Sequence, residues 1–152
     1  MKIEYERVVY PNQGHYNDKN VYLFTANSVL NKQGALVMGA GCAKSVRDTY
    51  KGIDILFGTN LGISRREFNI TFVKWQDNLW IGAFQTKIDW RDPSPLYLVQ
   101  DSIDKLKRIS EERPSWIFHL PCPAISHGGL NKDEVLPLLE SLPDNVVVYL
   151  DK

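Results

Sequence analysis

Apolar runs of strand length alternate with helix-spaced apolar stripes along most of the chain. Residues 2–10 are rich in β-branched and aromatic side chains, among them Ile3, Tyr5, Val8 and Val9, and predict an opening strand. Pro11-Asn12-Gln13-Gly14 ends it as a turn. Residues 21–26 form a continuous apolar run, the pattern of a central strand covered on both faces. A loop of small residues, 34–41, leads into a helix expected from Cys42 to Tyr50. Glycines at 52, 58 and 62 break up the stretch 51–64, which reads as short helix mixed with loop. Residues 69–75 and 79–87 read as two strands joined across Gln76-Asp77-Asn78.

Leu96, Val99, Ile103, Leu106 and Ile109 recur at helical spacing, with Pro95 suited to the first turn and Ser94 to the cap. Pro114 closes that region, and residues 116–120 form another short apolar strand. A second punctuated loop, 121–129, precedes a helix capped by Asn131. Val135, Leu136, Leu138 and Leu139 are its inward positions, and Asp133 and Glu134 suit the positive end of its dipole. Residues 146–150 make a last buried strand. This order predicts one α/β domain over 1–152, with a central mixed sheet flanked by helices in three layers.

Eighteen basic residues balance eighteen acidic ones, so no general attraction to nucleic acid or an anionic membrane is expected. Cys42 and Cys122 are far apart and have no histidine at ligand spacing, which argues against a zinc site and for a reduced, cytoplasmic setting. The N-terminus alternates polar and apolar residues, unlike a signal peptide, and no stretch has the length of a membrane span. A soluble monomer with no metal or cofactor is the expectation.

Two loops share one logic: a buried strand ends, small residues follow, and a helix begins. That places unpaired backbone N–H groups at the carboxyl edge of the sheet, beside a helix N-terminus, where a pyrophosphate is well held. Plain connection is the competing reading for either loop alone. Neither the Walker pattern nor GxGxxG is present, since Gly39-Ala40-Gly41 is followed by Cys42, Ala43 and Lys44.

Three runs resemble the signature of macro domains: Thr25-Ala26-Asn27-Ser28, Met38-Gly39-Ala40-Gly41-Cys42-Ala43, and Pro123-Ala124-Ile125-Ser126-His127-Gly128-Gly129-Leu130. The resemblance implies an ADP-ribose cleft. In it Asn27 meets the distal ribose, Gly39–Ala43 form the first phosphate loop, and Ser126, His127, Gly128, Gly129 and Leu130 form the second. The partner implied is ADP-ribose or a molecule carrying it, with nucleic acid involved only if ADP-ribosylated. Met38–Gly41 and Phe84-Gln85-Thr86-Lys87 resemble a branch of glycohydrolases that remove terminal ADP-ribose from acidic side chains, together with antitoxins that strip it from DNA. Hydrolysis of an ADP-ribosyl or ADP-ribose phosphate bond is thereby implied; a non-catalytic reader is the alternative.

The chain departs from that branch at two places and from most macro domains at a third. The branch's lysine, sought before the 69–75 strand, meets Ser64-Arg65-Arg66-Glu67, and arginine is a poor nucleophile. The branch's aspartate falls on Asn131, with Asp133 close by. The adenine-binding Gly-Asp pair meets Gly14-His15, with Asp18 the nearest acid. Tyr149 is similar to the family's adenine-pocket aromatic, with core packing as the other reading. His127 is either a proton-transfer group near the phosphates or a loop-tip residue. His119 reads as a satisfied core histidine, Cys42 as a packing side chain with a backbone contact, and Asp89-Trp90-Arg91-Asp92 as a surface loop whose aromatic could roof the cleft.

Overall fold

β2 (Asn20–Ala26) shows why this sequence makes three layers. Successive strand side chains point to opposite faces, so Val21 and Leu23 enter one core while Phe24 and Ala26 enter the other. The computed structural model describes residues 1–12, 19–62 and 66–151. β4 (Trp80–Gln85) and β5 (Ile117–Pro121) flank β2, both parallel to it. β6 (Val146–Tyr149) lies beside β5, and β1 (Lys2–Glu4) beside β6, again parallel. β3 (Ile70–Lys74) forms the other edge antiparallel to β4, across a 3-10 turn at Gln76–Asn78. Among the described residues the sheet therefore has the order β1-β6-β5-β2-β4-β3.

α1 (Gly41–Thr49) and α2 (Ile53–Leu61) cover the first face, burying Val46, Ile53 and Phe57 with Phe24 and Ile81. α3 (Leu96–Glu112) and α4 (Lys132–Leu139) cover the second, where Val99, Ile103, Leu106, Val135 and Leu139 pack with Leu23, Leu120 and Val148. Asn131 caps α4 as expected, its Oδ1 accepting from Glu134 N at 3.0 Å. The mixed α/β sheet and its helices follow the order read from the sequence.

Two local expectations differ. The first strand ends at Glu4, where Leu150 N donates to Glu4 O and the pairing with β6 runs out. Beyond it the chain leaves the sheet, so Tyr5 and Val9 are exposed. Ser94 does not cap α3; Pro95 holds that position, and Ser94 N instead donates to Gly128 O at 2.8 Å. The short helix expected within 51–64 is α2, bounded by Gly52 and Gly62.

Candidate functional site

The sheet opens where β2 and β5 part. Their pairing stops at Tyr22 and His119, yet β2 stays with β4 to Ala26 and Gln85, and β5 stays with β6 to Pro121 and Tyr149. Just before β2, Lys19 O accepts from Ile117 N at 2.9 Å, and the odd-numbered residues that follow in β2 direct their backbone groups to the same side. Past Tyr22, side chains satisfy that edge. Leu23 O accepts from Tyr10 OH at 2.8 Å, and Thr25 N donates to Cys42 Sγ at 3.3 Å. Burial, with Cys42 adding to it, raises the Tyr10 phenol well above its ordinary pKa, so it stays a donor. Tyr50 OH donates to Pro11 O and fastens the same segment.

The result is a cleft of about 1060 Å³ beyond the carboxyl ends of the strands, where open α/β sheets hold ligands. Asn27, Thr86, Lys87 and Trp90 line it by β2 and β4, whereas Glu6, Arg7, Tyr149 and Asp151 line it by β1 and β6. Four strand spacings separate β1 from β4, or about 19 Å at roughly 4.8 Å each. The cleft thus suits an elongated ligand with two different ends.

α1 forms one wall. Its N-cap, Ala40, is extended (φ −149°, ψ 161°), with no side-chain cap and no acid in the first turn. The first intrahelical bond is Lys44 N to Ala40 O at 3.2 Å, so the amides of Gly41, Cys42 and Ala43 precede the helical ladder. All three residues line the cleft with Gly39 and Ala40. Amides with no partner among the described residues and the positive end of the helix dipole make this wall attractive to an anion. Gly41 has φ 59°, and a Cβ built there would lie 3.7 Å from His127 Cδ2, so the two loops nearly meet above the cleft.

The second loop is the opposite wall. Ala124 holds φ 68°, a left-handed conformation uncommon without glycine, and its carbonyl accepts from Leu130 N at 3.0 Å. Gly128 packs so tightly on Ala124 that a Cβ would run into that carbonyl. Ser126, His127 and Gly128 line the cleft; Gly129 and Leu130 lie outside the lining, with Leu130 packed on the core.

Asn27 is buried at the end of β2, its Nδ2 donating to Val37 O at 3.0 Å and its Oδ1 accepting from Val29 N at 2.8 Å. One amide hydrogen and one acceptor site remain for a ligand. His127 is exposed in the second loop. Tyr149 lines the cleft while its hydroxyl meets His119 Nδ1 at 2.8 Å. His119 Nε2 lies 2.8 Å from Asn20 Oδ1, and its ring stacks on Tyr22 at 4.6 Å, so this histidine is a satisfied part of the sheet. Burial first, then the Glu6 charge, raises the Tyr149 pKa and keeps the phenol neutral.

Lys87 was missed as a site residue in the sequence. Its ammonium donates to His127 O at 2.7 Å and Trp90 O at 3.3 Å, joining the 87–90 loop to the second loop inside the cleft lining. The signal was available in Phe84-Gln85-Thr86-Lys87, directly after a buried strand. The expected position, 64–67, contributes nothing to the lining among its described residues: Arg66 and Glu67 are exposed elsewhere, and Ser64 and Arg65 lie outside the described residues. Gly14, His15 and Asp18 also lie outside them. Asn131 and Asp133 are exposed at the start of α4, away from the cleft.

Cys122 is buried, which pushes its thiol up to about 11, and it stays a neutral packing group. Among the described residues no His/Cys/Asp/Glu cluster is placed to hold a metal, and no helix is long and apolar enough to cross a membrane.

A parallel-centred sheet between two helical layers, with a strand-end cleft walled by two small-residue loops, is the macrodomain fold, and solved macrodomains superpose on it. The macrodomain of Mycobacterium tuberculosis DarG matches with TM-score 0.68 and 21% identity, covering 99% of this chain and 98% of its own. The macrodomain of Thermus aquaticus DarG gives 0.64 and 21%, over 99% and 97%. Thermosipho africanus DarTG, solved in complex with ADP-ribose, gives 0.68 and 19% over 86% of this chain; the match spans 37% of that longer chain. No family model and no curated protein matches the sequence.

Proposed function

We propose that the cleft binds ADP-ribose and that the protein hydrolyses the bond joining it to another group. The observation that carries this reading is the pairing of two anion-suited loops with Asn27 and Lys87 at one end of the cleft. A pyrophosphate lies between the Gly41–Ala43 amides and the 126–128 loop. The distal ribose then reaches Asn27, and the adenosine extends toward Tyr149. The solved DarTG complex with ADP-ribose has the same fold, which supports the choice of ligand.

In the hydrolytic step water attacks the anomeric carbon, or the phosphorus of a phosphate carried on the distal ribose. Its proton passes to His127 or a phosphate oxygen. Lys87, a lysine of the cleft lining, stabilises negative charge developing on the departing atom, a carboxyl or ribose oxygen or a base nitrogen, which leaves as the anion or takes a proton from water. Fixed orientation at Asn27 contributes most in the transition state, where the reacting atoms must align.

One observation favours a reader instead. The position that resembles the branch's catalytic aspartate is Asn131, which serves as the α4 cap outside the cleft. Product release separates the two readings. Wild type, Asn27→Ala and Lys87→Ala are assayed for free ADP-ribose, or phosphate, from carboxyl-linked, base-linked and phosphorylated ADP-ribose. The hydrolase predicts turnover in wild type that falls far more than affinity in both variants, with circular dichroism unchanged. Binding with no turnover on any substrate assigns the protein as a reader.

A further inference from the structure

Among the described residues lining the cleft, His127 is the only histidine. Its side chain is exposed, and neither ring nitrogen has a hydrogen-bond partner among the described residues. The backbone beneath it is fixed: Lys87 Nζ donates to His127 O at 2.7 Å, and Gly128 packs directly on the Ala124 carbonyl. That anchoring aims the ring. A Cβ built on Gly41 would lie 3.7 Å from His127 Cδ2 and 4.0 Å from Nε2, so the ring edge carrying Nε2 faces the first residue of α1. The imidazole stands where the two anion-suited loops nearly meet.

The charges around it are one-sided. The 87–92 loop brings the Lys87 ammonium and the Asp89–Arg91 pair, with Asp92 closing the same turn. α1 brings the positive end of its dipole and Lys44, whose ammonium is taken by Asp48 at 2.6 Å, with Arg47 beside that carboxylate. The carboxylates on the cleft lining among the described residues, Glu6 and Asp151, stand at the β1–β6 end, where Arg7 holds Asp151. An imidazolium at His127 therefore has no free carboxylate beside it on the lining, and a bound pyrophosphate supplies the counter-charge. We propose that His127 is a ligand-binding residue that takes up a proton as ADP-ribose binds and, as the imidazolium, donates to a pyrophosphate oxygen. This inference rests on the proposed ADP-ribose reading and decides one of its steps. A ring already protonated cannot take the proton of the attacking water, which then goes to the phosphate oxygen. Imidazole exchanges its proton near neutral pH, whereas a pyrophosphate diester has none to exchange there. The charge-assisted bond favours the protonated ring. ADP-ribose thus binds best where the free ring is already protonated, and affinity falls as pH rises until the bound ring has lost its proton.

Isothermal titration with ADP-ribose at about pH 7, in buffers of different ionisation heat, counts the protons taken up. Wild type is expected to take up a fraction of one proton. It should also bind about tenfold tighter at about pH 5.5 than at about pH 8.5, since moving a titration by one unit is worth a factor of ten. His127→Gln keeps a neutral donor but no titrating group, so it takes up no proton and binds at every pH as weakly as wild type at the alkaline end. The position is exposed and its link to Lys87 runs through the backbone, so the variant stays folded. Uptake that survives in His127→Gln assigns the proton to another group and overturns the proposal. So does a His127→Gln protein that matches wild type at the acidic end. Failure of ADP-ribose to bind wild type overturns the underlying reading and this inference with it, whereas binding that takes up no proton overturns this inference alone.

Discussion

Replacing Gln85 with leucine tests the physical account of how the Lys87 loop is held. Gln85 is fully buried at the end of β4. Its Oε1 accepts from Phe68 N at 2.8 Å and Asn69 N at 3.0 Å, and its Nε2 donates to Arg66 O at 2.7 Å and Lys87 O at 3.1 Å. One side chain thus satisfies four backbone groups and clamps the 66–69 segment to the residue that enters the cleft. Leucine has similar volume, so the cavity contribution is small. The loss is four orphaned groups, each costing about 1–3 kcal/mol when fully buried. Arg66 and Glu67 are exposed, so water reaches part of this segment and lowers the sum. We expect roughly 3–5 kcal/mol, a large share of the stability of an ordinary domain. With a urea m-value near 2 kcal/mol/M, the midpoint should fall by about 1.5–2.5 M. Gln85→Glu should do at least as much harm, since its carboxylate faces Arg66 O and Lys87 O without a donor. A midpoint shift below about 0.5 M at unchanged m would refute the reasoning.

Gly41→Val should abolish most ADP-ribose binding, because its branched side chain extends toward His127 Cδ2, 3.7 Å from the Cβ position; the positive φ adds a cost of about 1–2 kcal/mol, read by thermal melting. Unchanged affinity would remove the first loop from the site. Asp89 should titrate near 2, because the hydrogen bonds from Arg91 lower its pKa; carboxyl NMR should see it return toward its ordinary value in Arg91→Ala. A depressed folded pKa stabilises above the ordinary carboxylate range and is lost as pH falls toward 2, so the loop contact persists through neutral and mildly acidic pH. An ordinary wild-type titration would contradict the Asp89–Arg91 fork.

The sheet and most helices were legible because their apolar patterns are strong. In β2 the unbroken run 21–26 divides between two cores, and in α3 the spacing of Val99, Ile103 and Leu106 meets one. α2 was obscured by its glycines, two of which are required by local cap conformation and one by a tertiary contact. Gly52 and Gly62 bound the helix with positive φ, and a Cβ on Gly58 would run into Gly34 O. The contact of Gly58 with the distant Gly34 leaves no periodic signal. The first strand was overread because Tyr5–Tyr10 has strand composition but leaves the sheet so that Tyr10 can reach Leu23 O. In the cleft, the two loops were readable from small residues at strand ends. Lys87 was not, because its importance comes from carbonyls at His127 and Trp90 that only the folded chain brings to it. Asn27 stood out by position, yet its bonds to Val37 and Val29 show that it also holds its own loop.

Isothermal titration of the wild-type protein with ADP-ribose and, separately, with AMP tests the central claim most directly. If the pyrophosphate spans both loops, AMP loses the second phosphate and the distal ribose together, and ADP-ribose should bind at least about tenfold tighter, a difference of about 1.4 kcal/mol. Equal affinity for the two ligands, or no heat from either, would contradict the account.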